Sequence, residues 1–410
     1  MKIVLALSYT PCPVTRGIDR LVVNLIRGLS ERHEVALVTM VLENREIAAV
    51  RGLEGETVQV HPLLAPNKRS RVHRMLHKVK NHLTSLVTGI PVQVLYATPR
   101  PYIDRIVHTV HATGADLVLV SYWHHYNLPR RLEGVRCALV TYDIDYLVNR
   151  ERLRYARGGL RRILASRAAR MGERTEKEAY RSYETVLTVT DRDAESITAL
   201  AADTTKTVRT LPLAIDLDSY RRDAFERDPH RILFLGALDA DFNRDALHFF
   251  LEKVFPLVRA RHRDACVDVV GGGADPGLLG YGGASVRFFG RVQDIRPYLG
   301  ECSLMVLPLR FGGGVRIRMM EAAAMATPVV STPVGVAGMG LTPGSEYLEA
   351  EEPRELAAAI ARLIDDGDEA SRIGMNARYW AERNFSMSSY ADRLERLLDE
   401  LVSSRSKSSI

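Results

Sequence analysis

Residues 312–321 read Gly-Gly-Gly-Val-Arg-Ile-Arg-Met-Met-Glu and follow the apolar run Leu304-Met305-Val306-Leu307. A buried strand that ends in three glycines lets backbone N–H groups approach a ligand closely. The spacing then predicts a helix over 315–326, with Ile317, Met320 and Ala324 on one face. The free N–H groups of a helix start, and its positive dipole end, favour an anion. Arg316 and Arg318 add guanidinium forks whose geometry suits a diphosphate. Arginines in a first turn oppose the dipole, so helix stabilisation explains them poorly and anion binding explains them well. Glu321, in the second turn, can accept two hydrogen bonds from ribose hydroxyls.

Other residues invite chemistry with less support. Gly271-Gly272-Gly273 follows a strand, but the spacing is not GxGxxG because Pro276 intervenes; a loop is the expected reading. Tyr122-Trp123-His124-His125-Tyr126 follows another strand. No third metal ligand accompanies its histidines, so it is either an aromatic wall for an acceptor or packed domain surface. Asp143 and Asp145 end a strand and either orient an acceptor or make turn hydrogen bonds. The run from Lys68 to Lys80 is basic and weakly amphipathic, its apolar positions being Val72, Met75, Leu76 and Val79. A solvated helix face and peripheral contact with an anionic membrane through residues 66–82 both fit.

These groups have to be held by βα units. Ile3 to Leu7 reads as a strand, and Leu21, Leu25 and Leu29 as one face of a helix. Further strands are expected at 35–38, 57–61, 116–120, 137–141 and 185–190. Residues 150–182 read as one or two helices, with eleven Lys/Arg against four Glu. A second array starts near Arg231, with strands at 232–235, 267–270, 286–289, 304–307 and 329–330. Its helices are expected at 243–261, 315–326, 353–365 and 368–383, and a last helix at 387–402. Strand–helix alternation of this kind implies parallel sheets. Pro212 and the polar segment 216–230 mark the expected linker.

Composition narrows the classes. At 410 residues and 46% hydrophobic content, two globular domains are the default. The net charge of +6 comes almost wholly from arginine, since only eight of the 56 basic residues are lysine. That balance favours anionic ligands. It does not make a nucleic-acid binder, because the basic runs lack interleaved aromatics or a recognition helix. Cys12, Cys137, Cys266 and Cys302 are far apart, which argues against a disulfide framework or zinc site and for a reducing compartment. No run of about 18 apolar residues occurs, so no membrane-spanning helix is expected.

The stretch from Leu307 to Thr332 resembles the donor-site motif of glycosyltransferase family 4, whose members have the GT-B fold. Arg231 to Gly236, Asn243 with Phe255-Pro256-Leu257, Val269 to Gly273, Phe289 to Val292 and Leu211 to Asp216 fit in order and spacing. Pro13 to Gly17 and Arg32 to Val35 are similar to the family's first loop and second strand. The resemblance is specific over about 207–384 and looser before that. It implies an α/β chain of two Rossmann-like domains facing a cleft: an acceptor-side domain at 1–208, a nucleotide-sugar domain at 209–386, a helix at 387–402 that packs back on the first domain, and a frayed tail at 403–410.

The resemblance also implies an activity: retaining transfer of a sugar from a nucleotide-diphosphate sugar to a hydroxyl, with no cofactor and no metal. The acceptor would be a glycan, a lipid-linked or a small molecule, and the setting the cytoplasm, with a peripheral position on the inner membrane face as an option. Gly236, Arg291, Val292, Gly312, Gly313, Gly314, Val315, Arg316, Arg318 and Glu321 would hold the donor. Gly17, Tyr122, Tyr142, Asp143 and Asp145 would face the acceptor. Arg316, Arg318 and Asp143 would act in the reaction, the arginines on the departing diphosphate. Two positions depart from the family pattern. Gly313 stands where a first glutamate is common, and Tyr142-Asp143 where a His-Asp pair is. A catalytically degenerate binding protein and a sugar-nucleotide epimerase are the alternative readings on the same fold.

Overall fold

In the computed structural model of the chain, described for residues 1–14, 17–65, 71–147, 149–150, 159–201, 206–211, 213–312 and 315–403, two compact units appear. The first comprises Met1–Leu213 with Tyr390–Ile410, the second Ala214–Ser389.

The first unit holds seven strands: β1 Lys2–Leu7, β2 Glu34–Val41, β3 Val58–Leu64, β4 Leu117–Ser121, β5 Arg136–Val140, β6 Thr185–Thr188 and β7 Thr207–Thr210. Their order is β3-β2-β1-β4-β5-β6-β7 and every pairing is parallel. The central strands read Ile-Val-Leu-Ala-Leu and Leu-Val-Leu-Val because helices cover both faces of such a sheet. Helices Gly17–Ser30, Arg100–Thr113 and Gly159–Ser182 are among the covering layers.

The second unit repeats the plan with β8 Asp228–Leu235, β9 Cys266–Val270, β10 Val286–Gly290, β11 Cys302–Leu307, β12 Val329–Ser331 and β13 Leu348–Glu349. The order is β10-β9-β8-β11-β12-β13, again all parallel. In each sheet the order reverses once, between β1 and β4 and between β8 and β11. Ligands of open α/β sheets bind outside the carboxyl ends of the strands at that reversal.

Several sequence expectations shift. The first unit extends past 208 because β7 pairs with β6 through Thr185↔Thr207 to Thr188↔Thr210 and cannot be shared with the second unit. The segment 216–230 is not a linker. Arg378 donates hydrogen bonds to the carbonyls of Leu217 and Tyr220, which pins the segment to the second unit, and β8 begins within it. Pro212 lies outside the described residues. The helix expected over 243–261 starts earlier, at Asp241–Phe249, passes through a π segment at Phe250–Val254 and resumes at Phe255–Arg261. Pro256 supplies no N–H, so the regular ladder cannot run through it. The long arginine-rich helix is Gly159–Ser182; residues 151–158 lie outside the described set.

The last helix, Met387–Ser403, lies on the first unit. A Cβ at Gly28 would come within 2.5 Å of the Tyr390 ring, so the glycine is what allows the two helices to touch. His33 Nε2 stands 3.0 Å from Glu395 and Arg32 3.0 Å from Asp392 along the same contact. Residues 404–410 lie outside the described set. No helix among the described residues is long and apolar enough to cross a membrane.

Candidate functional site

In the second unit the candidate residues converge on the reversal point between β8 and β11. β8 ends at Leu235 and Gly236 follows; β11 ends at Leu307 and leads through Phe311 and Gly312 to the helix Ile317–Ala324. Gly313 and Gly314 lie outside the described residues, so their expected backbone contacts with a diphosphate stay an expectation from the sequence.

Arg316 is the N-cap residue of that helix and is buried, at 7% exposure. Its guanidinium carbon lies 5.2 Å from the centroid of the Phe242 ring. Gly312, at φ +126°, leaves room for it: a Cβ there would fall 2.7 Å from an Arg316 terminal nitrogen. Arg318 reaches across to the end of β8. It donates to the Leu235 carbonyl and, at 2.6 Å, to Asn243 Oδ1. Asn243 in turn donates to the Ala237 carbonyl at 2.8 Å. Gly236 leaves room for this reach, since a Cβ there would fall 2.2 Å from an Arg318 terminal nitrogen.

Burial, and then the charge of Arg316, pull the Arg318 pKa down to about 9, while Glu321 acts the other way. The fold therefore holds two cations together at a helix start, at an electrostatic cost that a bound anion would relieve. Glu321 is buried, at 5% exposure, and accepts a hydrogen bond of 3.3 Å from the Tyr220 hydroxyl. Arg378 holds that segment in place. It donates to the carbonyls of Leu217, Tyr220 and Ala324, tying the loop before β8 to the end of the helix Ile317–Ala324.

The remaining donor-side expectations fall around this point. Gly271 and Gly273 take positive φ angles, and Cβ atoms on them would come within 1.9 Å of the Gly236 carbonyl and 2.6 Å of the Asp239 nitrogen. The triple glycine is thus a crossing of two strand-end loops, as the broken GxGxxG spacing suggests. Arg291 is exposed and Val292 partly buried. Val292 lines a groove of about 640 Å³ beside the edge strand β10, with Phe289, Gln293, Asp294 and Tyr298. Charged groups of the groove are paired: Asp268 lies 2.6 Å from Arg287 and 3.7 Å from Arg231, and Asp294 lies 2.7 Å from Arg296. Val315 is partly buried just before the helix Ile317–Ala324.

The first unit gathers a different set at its own reversal point. Tyr9 follows β1, Tyr122 follows β4, and Tyr142 to Asp145 follow β5. The Tyr122 ring stands 6.2 Å from Tyr9 and 5.3 Å from Tyr142. Tyr122 sits at φ +69°, a strained position for a bulky residue, while its N–H donates 2.9 Å to the Val140 carbonyl. Beyond it the aromatic run turns inward. Trp123 is buried and donates 2.7 Å to Asp145 Oδ2. His125 is fully buried against Tyr102. Burial drives His124 and His125 down to about 4, so both are neutral at physiological pH. The run is therefore largely packed core, with Tyr122 at its partly exposed edge.

Tyr142 is buried and pushed up to about 12, so it is a neutral phenol here. Thr141 donates to the Asp143 carbonyl at 2.7 Å and fixes the turn. Below the two aspartates lies a residue that sequence reasoning missed. Glu176, on the helix Gly159–Ser182, is fully buried and accepts from the Tyr180 hydroxyl at 2.6 Å and the Tyr146 N–H at 2.7 Å. Burial first, with help from Asp145 and Asp143, raises it to about 8. One of three glutamates among the basic residues of that helix, it carried no signal of burial in the sequence. Gly17 opens the helix Gly17–Ser30, next to residues 15–16 outside the described set. The four cysteines are free, and burial lifts Cys137 and Cys302 to about 12.

Comparison with known proteins bears on the fold and on the second unit. Residues 229–366 match the model of the family described as glycosyl transferases group 1. An uncharacterized 44.6 kDa protein in the cps region of Klebsiella pneumoniae is 23% identical over 176 residues, 40% of this chain and 45% of that protein. The match thus spans less than half of that relative. Among solved structures, sucrose-phosphate synthase of Thermosynechococcus elongatus superposes with a TM-score of 0.71 at 17% identity, over 98% of this chain and all of the other. Anabaena HepE, solved with UDP and glucose, gives 0.65 at 13%, over 97% and 99%. TarM gives 0.69 at 10%, over 98% of both chains. Identities this low speak to fold alone. The chain has the GT-B fold, and residues 229–366 of its second unit match the glycosyl transferases group 1 model.

Proposed function

We propose that this protein transfers a sugar from a nucleotide-diphosphate sugar to a hydroxyl acceptor with retention of configuration and without a metal ion. The observation that carries the reading is the Arg316–Arg318 pair at the start of the helix Ile317–Ala324, with Glu321 buried one turn on. The negative charge that develops on a departing nucleoside diphosphate is where such a reaction needs help, and fixed donors aimed there supply several kcal/mol. Arg316 and Arg318 are those donors, and Glu321 takes the ribose hydroxyls. The acceptor hydroxyl attacks from the side of the leaving group, so a phosphate oxygen can take its proton. That removes the need for a histidine base and suits a first unit that has Tyr142-Asp143 after β5. Asp143, Asp145 and the Tyr122 edge orient the acceptor. The acceptor is a carbohydrate or a lipid-linked or small-molecule alcohol.

The test is thermal unfolding against a panel of nucleoside diphosphates and their sugar conjugates, beginning with UDP, which accompanies Anabaena HepE. A ligand at a hundred times its Kd stabilises the native state by about 2.7 kcal/mol. We expect a rise in Tm with one base, lost in Glu321→Ala. No rise with any nucleotide would remove the donor site.

A further inference from the structure

We propose that the helix Arg71–Thr88 docks this protein side-on against an anionic membrane surface. The helix is amphipathic in the wrong sense for a soluble domain. Asn81 is buried, and His77, Thr84 and Ser85 are partly buried; these polar residues form the face that meets the first unit, where the His77 ring packs 5.9 Å from Tyr96. The apolar residues point the other way. Met75, Leu76, Val79, Leu83, Leu86 and Val87 are 70, 64, 49, 57, 58 and 87% exposed. At ~100° per residue they fall within an arc of about 120° on one side of the helix. Six large apolar side chains in one exposed stripe mark an interaction surface.

Charge decides what the surface meets. No Asp or Glu occurs between Glu56 and Asp104, while the helix itself contributes Arg71, Arg74, Lys78 and Lys80. Lys78 and Lys80 are exposed and flank the apolar stripe on its two sides. Lysines there can lay their stems along the apolar boundary and put their ammonium groups among phosphates, the arrangement of a helix lying in a lipid interface. A second copy of the helix would bring like charges together, and lysine is depleted from protein–protein contacts. The helix is not apolar enough to cross the bilayer, so it lies on it. Reading the sequence to residue 82 makes the stripe look thin; the helix continues to Thr88 and adds Leu83, Leu86 and Val87.

The inference does not depend on the transferase reading, and its test needs no nucleotide. The full chain is floated with phosphatidylcholine vesicles, with and without phosphatidylglycerol, at low and high NaCl. We expect binding to the anionic vesicles, weakened by salt. Leu83→Glu with Leu86→Glu should abolish it. Lys78→Gln with Lys80→Gln should weaken it by roughly thirtyfold, the share of two cations at an anionic surface. Leu257→Glu, at an exposed leucine of the second unit, should bind as the parent does. All these positions are exposed, and unchanged circular dichroism would show that the variants fold; the lysine pair tests the idea even if the glutamates disturb the helix. Absence of binding, equal binding to uncharged vesicles, or full binding by the leucine pair would overturn the proposal. So would self-association of the parent that the leucine pair abolishes.

Discussion

The two units use one topology and put different chemistry at the same place. In the second, the reversal point between β8 and β11 is held by arginines, with Gly236 and Gly312 leaving space for their guanidinium groups. In the first, the point between β1 and β4 is walled by tyrosines whose neighbours sink into the core. A diphosphate demands charge and backbone donors, which a short stretch of chain can supply. An acceptor presents shape and hydroxyls, and its wall has to be gathered from several strand ends. The difference separates a site fixed by local sequence from one fixed by tertiary packing.

The largest effect should come from the charged site. Removing one preorganised donor of a transition-state charge costs roughly a hundred- to a thousandfold in kcat. We expect Arg316→Ala to do this in assays of nucleoside diphosphate release from the donor. Arg318→Ala should lose as much activity, and some stability besides, because its bonds to the Leu235 carbonyl and Asn243 Oδ1 go with it. Unchanged turnover in both variants would erase the distinction between the units, since the arginines would then only hold the fold together.

A second test asks whether the first unit's cluster is a sensitive point of the fold. Glu176 ordinarily titrates near 4.5 and is raised here to about 8. Between those values the folded chain keeps a proton that the unfolded chain has released. Stability is therefore highest below about pH 4.5 as far as this group is concerned and falls as pH rises toward 8, by up to ~1.4 kcal/mol per unit. Glu176→Gln should flatten that slope, so that its Tm overtakes the parent's near pH 8. An identical pH profile for the two proteins would show that the cluster does not store this cost.

This division explains what the sequence disclosed. Most strands of both sheets, the helix after Gly312 and the loop at Gly271–Gly273 could be read because runs of apolar residues and glycines are local signals. Asn243 and Tyr220 could not be given their roles, because each acts on a residue far along the chain, Arg318 and Glu321. The short strands β7 and β13 escaped for a related reason. Thr207–Thr210 and Leu348–Glu349 are edge strands, defined by pairing rather than by an apolar run. The exposed stripe on Arg71–Thr88 misleads by pattern, since periodicity shows that a face is apolar and not which way it points.

The smallest effect bears most directly on the first unit. Asp145 is spoken for by Trp123, whose indole N–H donates to it at 2.7 Å. If that bond is its whole role, Asp145→Asn trades a charge-assisted hydrogen bond for a neutral one and costs about 1 kcal/mol. The Tm would fall by a few degrees while the KM for the acceptor stayed put, and the loss of a negative charge near Glu176 would lower that carboxyl's pKa. If Asp145 also holds an acceptor hydroxyl, as proposed, KM rises several-fold on top of the same small change in Tm, with kcat for donor hydrolysis in water unchanged. The split between KM and Tm thus distinguishes a residue that shapes the tyrosine wall from one that touches what binds there.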